Sequence, residues 1–250
     1  MHGLAMIVAL VGGGSFKATA AQEDRTEVKR ALVEQLRAPE ATRRRDALLA
    51  LSTFSDPTLL PLFQTAAQDS EASVRAAAIM ALGQLAPIKE PAGLGEVIPL
   101  LVRAVRDPHP LVRRAAAWAL GRVPDPRAKS ALREAARDSD AAVRAAAVEA
   151  LGEHRDAAAL LERLQDKDAF VRRQAARALG QLRAQAAVAP LIARLGREKD
   201  PEVKRAIAWA LGEIGDPQAA ETLRTLSRSP DPYLSAMAQE ALRKVHARER

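Results

Sequence analysis

An arginine followed four residues later by a tryptophan occurs twice in this chain, at Arg114/Trp118 and Arg205/Trp209, and these are the only two tryptophans among 250 residues. A guanidinium one helical turn from an indole can lie against its face, and both side chains are types that anchor protein interfaces. The chemistry they suggest is recognition rather than bond making. Residues suited to catalysis are sparse. With no cysteine, disulfides, thiolate zinc sites, iron–sulfur clusters and an acylated lipoprotein cysteine are excluded. Of His2, His109, His154 and His246, only His154 has an adjacent Glu, so it reads as a solvated turn residue and not as half of a metal centre. No glycine-rich phosphate loop, Ser–His–Asp arrangement or zinc-spaced ligand set is present. Helix caps and surface faces account for the many Asp and Glu residues. No catalytic residue, metal or cofactor is therefore expected.

Both Arg–Trp pairs sit inside a repeat, "VRRAAAWALG" from Val112 and "VKRAIAWALG" from Val203. Further copies begin at Val74, Val143 and Val171, with degenerate ones at Arg43 and Leu234. The spacings are 31, 38, 31, 28, 32 and 31 residues, a period that suits two helices and two turns. Seven such units make fourteen helices. The composition agrees: 48% hydrophobic, only 3% aromatic, rich in Ala, and without alternating β-branched runs. Asp-Pro pairs at 56, 107, 125, 200, 216 and 231 predict helix starts, with Asp as cap and Pro at the first helical position. Gly83, Gly121, Gly152, Gly180 and Gly212 each follow Ala-Leu, where a helix can end in a left-handed residue. One such hairpin cannot bury its apolar stripe alone, so the units must stack.

These motifs resemble the HEAT repeats, particularly the short bacterial type seen in phycobilin lyases, over roughly residues 24–247. The resemblance rests on an acid followed, after four residues, by Val-Arg: Asp69 with Arg75, Asp107 with Arg113, Asp138 with Arg144, Asp166 with Arg172, and the variant Glu198 with Lys204. It rests also on a proline eight residues before the acid, at Pro61, Pro99 and Pro190; Ser130, Ala158 and Glu221 stand there in other units. It implies an all-α, right-handed α-solenoid with the acids and bases forming a structural ladder through the stacked turns, and with the second helices lining a concave surface. Degenerate units near 24–52 and 217–247 would cap its ends. Deoxyhypusine hydroxylases are similar to this fold but need several His-Glu pairs, which this sequence lacks.

With the Val of each copy as position 0 and about 100° per residue, positions 0, +4, +7 and +8 form the buried stripe and positions +2 and +6 lie opposite. Both tryptophans are at +6, so they are expected on the inner curve. The expected partner-binding residues there are Met80, Arg114, Trp118, Arg173, Arg177, Arg205 and Trp209. The alternative is that each indole folds over a neighbouring helix and merely covers it. The +2 and +6 face carries Arg45, Arg114, Arg173, Arg177 and Arg205 against Glu149 and Glu240, a sum of +3. The leading reading is a monomeric, non-enzymatic scaffold that binds a peptide or protein segment, acidic or aromatic-bearing. The resemblance leaves open a phycobilin-lyase-like handling of a ligand. Binding of nucleic acid is disfavoured by the modest net charge of +7.

Two further segments stand out. Leu4–Val11 is an apolar run, followed by a Gly-rich break and Ala18 and Ala20 before a cut after residue 21, the pattern of a secretory signal peptide. Export to the periplasm or beyond is therefore expected, the alternative being an apolar tail on a cytoplasmic protein; the remaining chain, 22–250, would form one solenoid domain with 37 basic and 31 acidic residues. The 86–95 segment, with two prolines and two glycines, is expected to be an inserted loop.

Overall fold

The computed structural model describes residues 14–85 and 91–248, and the side chains of residues 24–85 and 97–248. The apolar run before Gly14 and the first half of the 86–95 segment lie outside the described residues. Among those described there are fourteen α-helices and no strands: α1 (Gly14–Gln35), α2 (Ala41–Ser52), α3 (Leu60–Ala66), α4 (Ala72–Leu85), α5 (Pro91–Ala104), α6 (Pro110–Gly121), α7 (Pro126–Ala135), α8 (Ala141–Glu153), α9 (Ala157–Arg163), α10 (Ala169–Gln181), α11 (Val188–Leu195), α12 (Pro201–Ile214), α13 (Ala220–Leu226) and α14 (Pro232–Arg248). They form seven consecutive hairpins. Three first helices, α3, α11 and α13, are entered through a 3-10 turn. The expected loop over 86–95 is corrected at its second half, since Pro91 already opens α5.

The apolar stripe falls where the repeat places it. Positions 0, +4, +7 and +8 of α8 (Val143, Ala147, Ala150 and Leu151) are all buried, and the same four positions are buried in α4, α6, α10 and α12. Each buried leucine of the +8 row contributes about 2 kcal/mol of transfer free energy. The even-numbered second helices pack tightly on one another in a single row, whereas the first helices touch their counterparts sparsely. The closer row takes the inside of the bend, so the second helices line the concave side of an α-solenoid.

The repeated glycines explain that closeness. None of them is the left-handed end residue the sequence suggests: Gly83, Gly152, Gly180 and Gly212 lie one or two residues inside α4, α8, α10 and α12, and Gly121 is the last residue of α6. A Cβ on Gly83 would sit 2.5 Å from the Cβ of Ala119, and one on Gly212 would sit 2.6 Å from that of Ala241. Such separations are closer than carbon atoms can approach, so the missing side chain sets the helix spacing. The left-handed residue instead comes three positions later, at +12: Ser55, Arg155, Arg183 and Gly215 have φ of 51°, 52°, 50° and 72°.

Of the six Asp-Pro pairs, five cap as expected. The Asp56, Asp125, Asp200, Asp216 and Asp231 carboxylates accept from backbone N–H groups two or three residues on. Asp107 accepts from the His109 N–H at 2.8 Å but caps no helix, because α6 starts at Pro110 with His109 as its cap and Asp107 belongs to the ladder.

That ladder joins units rather than closing within them. Arg75 grips Asp107 of the next unit through Nε and Nη2, both at 2.9 Å, while its Nη1 donates to the carbonyls of Asp69 and Ser70 in its own unit. The same pattern links Arg44 to Asp69, Arg113 to Asp138, Arg144 to Asp166 and Arg172 to Glu198. A guanidinium used in this way is held by three groups at once. The Asp166 carboxyl is pushed up by burial, but the bonds from Arg144 outweigh this and leave it below its ordinary range. Glu198 is likewise raised by burial, yet the Arg172 bonds, the backbone of Asp200 and Arg194 together lower it to about 2.

The last rung departs from expectation. Lys204 makes no ion pair among the described residues. Arg205, one residue on, reaches Asp231 at 2.9 Å and Glu202 at 2.6 Å instead. A lysine has no planar fork to span the carboxylate, and the adjacent arginine supplies one.

Candidate binding groove

The solvent face of the second-helix row is set by rotation about each helix. Positions +3, +6 and +10 fall near 300°, 240° and 280°, so the face centres on +6 and +10 rather than on +2 and +6. Position +2 turns toward the neighbouring helix, which is why Ala76 and Ala145 are buried. Two open cavities follow the corrected face. One, about 460 Å³, lies between α6 and α8 and is lined by Trp118, Gly121, Arg122, Ala146, Glu149, Ala150 and Glu153. The other, about 590 Å³, lies between α8 and α10, with Glu149, Glu153, Arg155, Gln174, Arg177 and Gln181 among its lining residues.

The tryptophans stand at the boundary between the two readings. Both are half-buried and pack on the core, each leaning over a glycine of the preceding second helix. Cζ3 of Trp118 would lie 3.3 Å from a Cβ on Gly83, and that of Trp209 only 2.8 Å from one on Gly180. One edge of each indole thus covers the gap the glycine leaves; Trp118 also lines the cavity between α6 and α8, whereas Trp209 is half-buried and lines neither cavity. The arginines expected to flank them do not. Arg122 lies over Trp118 at 5.1 Å, and Arg177 of the preceding unit lies over Trp209 at 5.7 Å.

The other expected contact residues divide in the same way. Arg114 and Arg177 are exposed, and Met80 is half-buried. Arg205 is held in the ladder and stacks on Tyr233 at 5.0 Å, so it is not a free groove cation. Arg173 lies over Phe170 at 4.9 Å, and its Nε is buried without a hydrogen-bond partner. The +10 residues Arg122, Glu153 and Gln181, absent from the sequence-based set, share the cavities with the +6 row. Their spacing of four from +6 was the signal that would have found them.

Charge separates groove from ladder. Every ladder carboxylate has an arginine partner, whereas Glu149, Glu153, Gln174 and Gln181 have no partner among the described residues. His154 is not solvated as expected: its Nε2 lies 2.9 Å from the carbonyl of Leu120, tying the end of α8 to that of α6. Among the described residues, no three His, Asp or Glu side chains converge as for a metal ion, and no helix is long and apolar enough to cross a membrane.

Comparisons with known proteins bear on the fold. YibA of Escherichia coli has a similar structure, with a TM-score of 0.67 and 24% identity, over 88% of this chain and 82% of that one. The CpcE–CpcF complex of phycocyanin lyase from Nostoc sp. PCC7120 gives 0.53 and 19% over 99% and 93%. An engineered protein gives 0.56 and 20% over 92% and 71%. Among curated proteins no relative matches the sequence. The sequence profile of HEAT repeats matches residues 29–95, 85–152 and 157–243, in agreement with the solenoid of stacked hairpins. The chain belongs to the HEAT repeat family.

Proposed function

We propose that this protein is a non-catalytic scaffold that holds a segment of a partner protein in the groove formed by α6, α8, α10 and α12. The observation that carries the reading is the contrast in how charges are used. The ladder consumes its arginines and carboxylates in bidentate pairs, whereas the groove keeps Arg122, Arg177, Glu149 and Glu153 exposed without ion-pair partners among the described residues, near two half-buried indoles. Unpaired charges around aromatic anchors are the composition of a contact surface. A rigid row of helices also presents that surface without an ordering cost on its own side. Export, expected from Leu4–Val11, would place the partner outside the cytoplasm, and the N-terminal residue of the exported chain tests it.

The experiment compares partner recovery by the full chain and by its Trp118→Ala/Trp209→Ala variant at matched folded concentration. Recovery should fall at least about tenfold, as removal of two aromatic anchors implies. Full recovery of every partner by the double variant refutes the groove as the site.

A further inference from the structure

The charges of the groove alternate from helix to helix. On α8, Glu149 and Glu153 are one turn apart, both exposed, and both line each of the two cavities. Like charges at this spacing repel, whereas opposite charges three residues apart attract, as in Arg224 with Glu221 and Arg243 with Glu240. The flanking cations do not relieve the repulsion. Arg122, the residue capping the end of α6, and Arg177 on α10 lie over Trp118 and Trp209, and neither forms an ion pair with the glutamates. The groove thus presents positive, negative and positive stations along three consecutive second helices, at the end of α6, on α8 and on α10.

We infer that the groove takes an extended protein segment bearing an acidic, a basic and an acidic residue at three-residue intervals, with the base between Glu149 and Glu153. The spacing follows from packing. Neighbouring helices lie roughly 10 Å apart, and an extended chain advances about 3.3 Å per residue, so one station corresponds to three residues. The central Lys or Arg of the segment meets two carboxylates, and its outer carboxylates meet Arg122 and Arg177. Gln174 and Gln181, which also lack partners, offer amide groups to the backbone of the segment. The inference rests on the groove reading above and replaces a uniformly acidic ligand by one of alternating charge.

The test measures anisotropy of fluorescein-labelled nine-residue peptide pools with the full chain. One pool fixes Glu, Lys and Glu at positions 2, 5 and 8; a second fixes Lys, Glu and Lys there; a third holds the first set of charges at two-residue spacing. The first pool should bind about fivefold or more tightly than either other, since each exposed charge pair is worth about two- to fivefold. The Arg122→Glu/Glu149→Lys/Glu153→Lys/Arg177→Glu variant, with its fold verified by circular dichroism, should invert the order of the first two pools. Equal affinity for all pools, lost in Trp118→Ala/Trp209→Ala, overturns the charge inference and leaves the groove reading standing. Binding to no pool, or binding that survives the double tryptophan substitution, overturns both.

Discussion

Replacing Glu198 by glutamine tests the ladder at its most buried carboxylate. The side chain is 1% exposed and accepts from Arg172 Nε and Nη2 at 2.8 Å each, from Arg194 Nε at 2.9 Å, and from the backbone N–H groups of Lys199 and Asp200 at 3.0 Å. Glutamine retains one acceptor and turns an amide donor toward a guanidinium that can only donate. Lowering of the carboxyl from 4.5 to about 2 corresponds to about 3 kcal/mol of folded-state preference for the charged form. Breaking a buried pair by removal of one partner costs about 3–5 kcal/mol, the same scale. Because the folded carboxyl titrates below the unfolded one, this stability is fully present above about pH 4.5 and is lost as the pH falls toward 2. Urea unfolding of wild type and Glu198→Gln should therefore differ by about 3 kcal/mol at pH 7 and converge near pH 2. The transitions are fitted unit by unit, since a solenoid's stability is a sum of neighbour terms. A difference below about 0.5 kcal/mol at pH 7, or one that does not change with pH, refutes the reasoning.

The remaining predictions concern packing and the turns. Gly83→Ala should destabilise by about 1–3 kcal/mol, because its Cβ meets Ala119 at 2.5 Å, whereas Gly152→Ala, whose nearest neighbour is 3.4 Å away, should be neutral or stabilise by up to about 1 kcal/mol; thermal unfolding decides. Arg183→Gly should raise the unfolding free energy by about 0.5–1 kcal/mol, since it relieves a left-handed φ of 50° at a non-glycine residue. Lys204→Ala should leave stability within about 0.5 kcal/mol, while Arg205→Ala, which breaks the last rung, should cost about 1 kcal/mol or more; paired urea transitions measure both.

The repeat itself was legible because burial follows helical rotation: positions 0, +4, +7 and +8 are the core in the five full copies. The ladder's residues were legible as types but not as partners. Arg75 and Asp69 are close in sequence, yet Arg75 spends only its Nη1 on that turn and reaches across to Asp107, which a motif within one unit does not reveal. Arg44 and Asp231 were missed because their units are degenerate, although Arg44 occupies position +1 of the Arg43 copy. The glycines misled because glycine after Ala-Leu fits a helix end as well as a close helix crossing; the alanine of the next second helix, Ala119 for Gly83 and Ala241 for Gly212, distinguishes them. The groove face was displaced by one residue row because helices packed on three sides leave a narrower open arc than a lone amphipathic helix does. Arg122, Glu153 and Gln181 fall within that arc, and Arg205 falls outside it.

Site-specific photo-crosslinking in cells tests the recognition surface most directly, with the reactive residue placed at Gln181 in the groove or at Ala186, exposed in the turn before α11. A discrete partner is predicted to crosslink from position 181, to vanish when Trp118 and Trp209 are both replaced by alanine, and to be absent from position 186. Crosslinking to the same partner equally from both positions, or persisting after loss of the two indoles, would contradict the account.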